Sequence, residues 1–168
     1  MDLAPSPLVS LFDFKAWAHE ELFALLATVD DPARQAALQP ALRVLNHIHV
    51  VDRIFQAHLQ GRDHGLVGTN TAEIPPLAAL AGAVKAVDAW YCGYVRGLEP
   101  AQLREALRFR FTDGDAGRMS REEMLLHVIT HGGYHRGQAG QVLRDAGLAP
   151  PRELFTRFLH GRQPERRA

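Results

Sequence analysis

Hydrophobic residues recur at helical spacing along most of this chain. Ser6 followed by Pro7 is typical of a helix N-cap and first helical position, so a first helix is predicted from there to about residue 29. Its apolar stripe is Leu11, Phe14, Ala18, Leu22, Leu25 and Leu26. A second helix is predicted from about residue 40 to 60, because Gly61 is a typical C-terminal glycine. Residues 62–73, rich in Gly, Asp, Asn and Thr, form a predicted loop.

Two further long helices are predicted in the second half, with one short alternating segment between them. The third begins at Pro75 and ends before Pro100. Apolar and basic residues alternate over residues 107–111, and residues 113–117 form a turn, which predicts a small β-hairpin between the third and fourth helices. The Arg108 and Arg110 side chains are interpreted as the solvated face of that strand.

The fourth helix begins with a capping box. Ser120 is the N-cap, Glu123 is three residues later, and the helix runs to Gly147. Pro150 opens a short C-terminal helix, and the charged residues 161–168 are predicted to be a disordered tail. Four long amphipathic helices predict an all-α four-helix bundle, formed by a single domain over residues 1–160.

Composition narrows the possible functions. The chain has 168 residues, of which 46% are apolar, so an ordinary globular domain is expected. Basic and acidic residues number 19 each, which argues against non-specific nucleic-acid binding. Cys92 is the only cysteine, which excludes an intrachain disulfide and a thiolate metal cluster. We see neither a signal peptide nor an apolar stretch that could span a membrane, and therefore expect a cytoplasmic protein.

Three histidines four residues apart are the candidate chemistry of the fourth helix. His127, His131 and His135 share a helix face with apolar residues, which is expected to point inward. Two imidazoles at this spacing can bind one metal ion if a third ligand comes from elsewhere, or they can be hydrogen-bonded core histidines. Gly132 stands where the H-E-x-x-H motif has its catalytic glutamate, so a metal site here would not be that of a peptidase. Three histidines on one helix span about 12 Å, so His127 is expected in a supporting role.

The second helix could supply the third ligand. His47 lies on its apolar stripe, although the residues alone leave open whether it is a ligand or a packing residue. His49 is predicted to face solvent, and His58 lies roughly 16 Å further along the axis. Tyr134 and Gln138 border the cluster and either line the site or only pack the helix. Surface or hydrogen-bonded positions are expected for the remaining histidines, namely His19, His49, His58, His64 and His160.

Two segments resemble the DinB-like, or YfiT-like, family. They are Leu45-Asn-His47-Ile-His-Val-Val-Asp-Arg-Ile-Phe-Gln-Ala-His58 and Leu126-His127-Val-Ile-Thr-His131-Gly-Gly-Tyr-His135-Arg-Gly-Gln138. The resemblance extends over nearly the whole chain, and its most specific part is the run H-x-x-x-H-R-G-Q. It implies a bundle with up-down-down-up connections and a divalent metal, usually zinc or nickel, held by one histidine of the second helix and two of the fourth. Residue by residue, these ligands are His47, His131 and His135. Homodimers are frequent in this family, so the resemblance also implies a homodimer. Many members of the family are linked only to DNA damage or stress.

Two functions remain open at this point. The resemblance implies a metal-dependent enzyme that activates water or a small-molecule thiol, of the hydrolase or S-transferase type, with no residue assignable as catalytic beyond the ligands. The alternative is a non-catalytic bundle in which the ion joins two helices, for which we can name no fourth ligand. A di-iron carboxylate site is rejected, because Glu122 and Glu123 have the wrong spacing from the histidines.

Overall fold

The computed structural model describes residues 6–166. Four long helices dominate it: α1 (Pro7–Leu26), α3 (Gln39–Leu59), α4 (Leu77–Arg96) and α6 (Arg121–Asp145). The shorter elements are α2 (Pro32–Ala37), α5 (Pro100–Leu103), α7 (Phe155–Arg162) and a 3-10 turn (Pro164–Arg166). The predicted all-α fold is confirmed, together with the hairpin.

The hairpin lies between α5 and α6. Its strands β1 (Ala106–Arg110) and β2 (Ala116–Ser120) pair antiparallel, and this register places Arg108 opposite Arg118. Phe109 is buried against the bundle. Arg108 and Arg110 are exposed, as the alternating pattern predicts.

Local signals explain most helix ends. The Ser6 side chain accepts a hydrogen bond from the Val9 N–H, and Ser120 and Glu123 form the predicted capping box. Gly61 and Gly147 have positive φ angles of 65° and 75° and terminate α3 and α6. α1 ends three residues earlier than predicted, and α2 is an additional helix, because Asp31 caps a new N-terminus rather than only ending α1.

The four long helices run up, down, down and up. Phe12 of α1 stacks on Tyr91 of α4, and Phe23 lines a groove with Val84, so these helices are antiparallel. Between α3 and α6, the His47 ring contacts the His135 ring and the Phe55 ring contacts the His127 ring. An earlier residue of α3 thus meets a later residue of α6, so these two helices are antiparallel too. Each pair packs directly, and the pairs pack together through two apolar clusters that each contain residues of all four helices.

The C-terminal part differs in detail from the prediction. α7 begins at Phe155, later than the expected start after Pro150, and it includes Gly161 and Arg162. The 3-10 turn follows where a disordered tail was predicted, and residues 167–168 of that tail lie outside the described residues. Phe158 is buried against α1, where it contacts Phe14 and Trp17. In residues 6–166, no helix is long and apolar enough to cross a membrane.

Candidate metal centre

Three of the predicted histidines meet between α3 and α6. His47 comes from α3, and His131 and His135 come from successive turns of α6. One ring nitrogen of each lies within 4.8 Å of the other two, and the Nε2 atoms of His47 and His131 are 3.0 Å apart. We call these three residues the histidine cluster. The structure brings the predicted ligands together, and their binding of a metal stays a prediction.

Hydrogen bonds to oxygen atoms orient two of the rings. Nδ1 of His47 donates to the backbone carbonyl of Thr69 over 2.7 Å. Nδ1 of His135 donates to Oε1 of Gln138, also over 2.7 Å. Because these oxygens only accept, each Nδ1 carries a proton, and each Nε2 is turned toward the cluster. Metal-binding histidines are usually held in this way by a bond to the other ring nitrogen.

His131 is the most perturbed member. Burial lowers its pKa to about 3, and the neighbouring rings of His135 and His47 act in the same direction. Its buried Nδ1 has no hydrogen-bond partner in the described part of the chain. The ring is therefore uncharged at neutral pH, which is the form that binds a metal.

The cluster can hold a divalent metal ion. Imidazole nitrogens suit zinc, nickel, copper or iron, and three imidazole rings converge here. Within residues 6–166, no fourth His, Cys, Asp or Glu joins the group. Three protein ligands and one open position are typical of catalytic zinc sites, whereas structural sites are normally closed by a fourth ligand.

The other predicted site residues border the cluster. His127 lies one turn before His131, with the rings stacked at 5.4 Å, and its other side meets the Phe55 ring at 4.5 Å. Tyr134 is 68% exposed, and its edge meets the His135 ring at 5.1 Å. Gln138 holds His135, as described above. His127 therefore supports the row of rings without joining the group of three.

The inward face of α6 was predicted wrongly. The histidines are half-buried at its edge, and the buried positions are Met124, Leu125, Val128, Gly132, Arg136, Ala139, Gly140 and Leu143. Gly132 lies in the interior, where a Cβ would be 3.0 Å from Arg136 Nη1 and 3.5 Å from Lys15 Cε. The position of the H-E-x-x-H glutamate thus faces buried cationic side chains and not the histidine cluster.

Those side chains belong to a buried set of charges that the sequence analysis missed. Lys15 is 1% exposed, and its Nζ lies 2.6 Å from both Asp52 Oδ2 and Asp88 Oδ1. Asp88 also accepts from Nδ1 of His19 over 2.6 Å, and Arg136 Nη1 lies 3.4 Å from Nε2 of that ring. We call these five residues the ion cluster. It joins all four long helices beneath Gly132.

The electrostatics of the ion cluster follow from burial and pairing. Burial opposes the charge on Lys15, but its two carboxylate partners raise its pKa above the ordinary value. Burial also acts to raise the pKa of Asp88, but Lys15 and His19 hold it well below its usual range. Burial raises the pKa of Asp52 to about 6, despite Lys15, and lowers that of His19 to about 4. At the edge, Arg136 makes a two-pronged ion pair with Glu153, with Nη2 and Oε1 2.6 Å apart.

A weak signal for the ion cluster existed in the sequence. Lys15 follows Phe12 by three residues and His19 follows Lys15 by four, and Asp88 lies between Val84 and Tyr91 at helical spacing, so all three fall on apolar stripes. The periodicity of the apolar residues alone predicts a face of α1 that is rotated toward Leu11, Phe14 and Leu25, all of which are only half-buried.

His49 is a second error of the same kind. It was predicted to face solvent, but it is only 9% exposed. α3 packs against both α4 and α6, so more than one of its faces is covered. Burial lowers the pKa of His49 to about 4, with Arg53 and Lys15 acting in the same direction.

Comparison with known proteins agrees with the site. The model of the DinB family matches residues 5–167, nearly the whole chain, including α3, α6 and the histidine cluster. No curated protein matches the sequence significantly. The match to the family model covers far more than half of the residues, and the chain belongs to the DinB family.

Proposed function

We propose that this protein is a divalent-metal-dependent enzyme in which His47, His131 and His135 hold the ion. The observation that carries the proposal is the convergence of three imidazoles with no fourth protein ligand in the described residues. That arrangement supports a catalytic site over a structural one. Zinc and nickel are the proposed metals, because both suit imidazole ligands.

The metal would supply Lewis acidity, which lowers the pKa of a water molecule or thiol at the open position toward neutrality. The chain's own residues position the ligands. The Thr69 carbonyl and the Gln138 amide oxygen hold the His47 and His135 rings with their Nε2 atoms toward the cluster. Such bonds also raise the basicity of the ligands.

The surroundings favour a thiol substrate over peptide hydrolysis. A helical zinc peptidase has its general base one residue after the first histidine ligand. Here that residue is Gly132, which faces the interior against Arg136 and Lys15. A thiol needs only to lose its proton to become a nucleophile. Transfer of a small-molecule thiol to an electrophile therefore requires fewer protein groups than peptide hydrolysis does.

Cobalt substitution tests the proposal. The full chain is loaded with Co²⁺, and its visible spectrum is recorded while a small thiol such as 2-mercaptoethanol or cysteine is added. We expect a new sulfur-to-cobalt absorption band that saturates, together with turnover of a thiol-reactive electrophile or an activated ester by the zinc or nickel protein. His131→Ala should lose both, and His160→Ala, an imidazole outside the cluster, should keep both.

Other results would favour the non-catalytic alternative. In that case the cobalt spectrum would not respond to thiols, no ester or electrophile would turn over, and chelation would lower the melting temperature. A spectrum that changes with thiol in His131→Ala as it does in the parent would also contradict the proposed site.

A further inference from the structure

A polar cavity lies where the hairpin meets the end of α3. Its volume is about 310 Å³, and its polar lining consists of Arg62, Arg108, Arg110, His58, His64 and Asp63. Arg108 and Arg110 come from β1, while the other four come from the end of α3 and the loop after it. The cavity thus joins two separate parts of the fold.

Positive charge dominates this cavity. None of its three arginines forms an ion pair with any residue from 6 to 166. The Arg110 side chain makes one hydrogen bond within the described residues, from Nη1 to the Gly114 carbonyl over 3.0 Å. The single carboxylate, Asp63, already accepts from the Gly65 N–H at 2.9 Å. Three arginines and one carboxylate therefore line the cavity, and the carboxylate is itself engaged.

The hairpin adds a further positive charge beside the cavity. Arg118 lies directly opposite Arg108 in the antiparallel register. Like charges in such cross-strand positions destabilise a sheet. The chain as a whole has 19 basic and 19 acidic residues, so this concentration is local and not a property of the composition. An anion between these arginines would offset the repulsion.

One of the two histidines supplies a further donor in a fixed orientation. Nδ1 of His64 accepts from the Leu66 N–H over 3.0 Å, which places the ring proton on Nε2. His58 packs between the His64 ring at 5.4 Å and the Phe109 ring at 4.7 Å. The two rings therefore hold each other in place at the cavity wall.

Stabilisation of the α3 C-terminus does not explain the whole arrangement. Basic side chains do favour a helix C-terminus, which could account for Arg62 and His58. The last carbonyls are already occupied, however, since His58 O accepts from the Gly61 N–H at 3.1 Å and Ala57 O from the Arg62 N–H at 2.9 Å. Arg108 and Arg110 belong to β1, and no requirement of α3 places them there.

We propose that this cavity binds the oxyanion group of a small molecule, a phosphate or a carboxylate. Arginine recognises both groups with two parallel N–H donors, and the His64 Nε2–H is a further donor. A small ligand is favoured over nucleic acid, because the cavity has a volume of only about 310 Å³ and the chain as a whole has equal numbers of basic and acidic residues. Extended phosphate backbones need a longer basic surface.

This site is distinct from the histidine cluster. His58 follows His47 by eleven residues on α3, which separates the two by about 16 Å along the helix axis. Both residues lie on the same face of α3, because eleven residues are close to three full turns. Oxyanion binding can therefore be tested without any metal, and loss of one property need not change the other.

The experiment uses the full-length, metal-free protein with inorganic pyrophosphate and citrate as probes. Binding is measured by calorimetry, and ¹H–¹⁵N spectra report which residues respond. We expect saturable binding of at least one probe, with shifts at His58, His64 and Arg110. The double variant Arg108→Gln/Arg110→Gln should bind about tenfold or more weakly, a loss of about 1.4 kcal/mol or more. Arg34→Gln removes an exposed arginine of α2 and should leave binding unchanged.

The choice between pyrophosphate and citrate identifies the oxyanion. Three results would overturn the proposal. They are the absence of saturable binding at millimolar concentrations of both probes, an equal loss in Arg34→Gln, and spectral shifts located elsewhere in the wild-type protein. Tighter binding of a short oligonucleotide than of pyrophosphate would replace the small ligand with nucleic acid. The wild-type spectra test the location even if the double variant fails to fold.

Discussion

The ion cluster and the histidine cluster are adjacent polar groups built in opposite ways. In the ion cluster, opposite charges face each other, with Lys15 2.6 Å from each of two carboxylates. In the histidine cluster, three rings face one another, and hydrogen bonds at Nδ1 turn the Nε2 atoms of two of them inward. The first group is largely complete within the fold, while the second offers acceptors that only an external cation can satisfy together.

This difference separates a structural role from a binding role. Buried charges persist in a fold when they are paired, and removing one partner leaves the others without compensation. Converging imidazole nitrogens contribute little to folding, but they match the needs of a metal ion. Gly132 is the point of contact, because its missing side chain lets Lys15 and Arg136 lie beneath the turn that carries His131.

The largest expected effect comes from breaking the ion cluster. Lys15→Met leaves Asp52 and Asp88 without their common cation, so the free energy of unfolding should fall by about 3–5 kcal/mol. Urea denaturation measures the loss. The matched control is Lys85→Met, since Lys85 is exposed and 4.0 Å from Glu20, and its effect should be below about 1 kcal/mol. Equal effects of the two substitutions would show that the buried pairing does not stabilise the fold.

The pH dependence of stability should also come from the ion cluster. Burial lowers the pKa of His19 to about 4, below its ordinary value near 6.5. Folding thus favours the uncharged form of His19. Its contribution to the free energy of unfolding is fully present above about pH 6.5, and up to about 3 kcal/mol is lost as the pH falls to about 4. Asp88, Lys15 and Arg136 are the charged groups around this ring.

The measurement compares unfolding of the parent and His19→Gln between pH 7 and 4. The difference between the two isolates His19, since the raised pKa of Asp52 acts in the opposite direction over the lower part of this range in both proteins. We expect the variant to lose less stability on acidification. Parallel pH curves would contradict the assignment.

A smaller effect is expected at the contact between the clusters. Gly132→Ala places a Cβ 3.0 Å from Arg136 Nη1, whose guanidinium is held by Glu153 and cannot easily move. The resulting strain, about 1–3 kcal/mol for overpacking, should exceed the gain of up to about 1 kcal/mol in helix propensity.

Gly137→Ala is the matched control, because a Cβ at Gly137 meets nothing within 4 Å. The Gly137→Ala variant should be more stable than the parent by up to about 1 kcal/mol, because alanine has the higher helix propensity. Thermal unfolding of both variants gives the comparison, and the same sign for both would refute a close contact at Gly132.

The smallest expected effect concerns the orientation of one ligand. Gln138→Ala removes the acceptor that holds His135 Nδ1, and loss of such a bond typically weakens metal binding by about 10–100-fold. Gln141→Ala, which removes an amide bonded to Arg144 and Asp145 on the same helix, should leave metal affinity unchanged. Calorimetric titration with zinc measures both. Unchanged affinity in Gln138→Ala would mean that this bond does not orient the ligand.

The sequence predicted the long helices and the histidine pair because their signals are local. Ser120 with Glu123, Gly61, and the four-residue spacing of His131 and His135 each act within about one helical turn. The inward face of α6 and the burial of His49 could not be predicted in the same way. The inward face of α6 depends on Lys15, which reaches the core from α1 and lies next to Gly132. The burial of His49 depends on the packing of α3 against both α4 and α6.

Zinc titration of the metal-free protein, with His131→Ala and His160→Ala measured in parallel, tests the central claim most directly. The parent and His160→Ala should bind one ion per chain, and His131→Ala should lose about 100-fold or more in affinity, more than loss of a supporting bond costs. Apo His131→Ala should fold normally, because the histidine cluster contributes little to folding. Equal zinc affinity in the parent and His131→Ala, or no binding of zinc or nickel by the parent, would contradict a metal site at these three histidines.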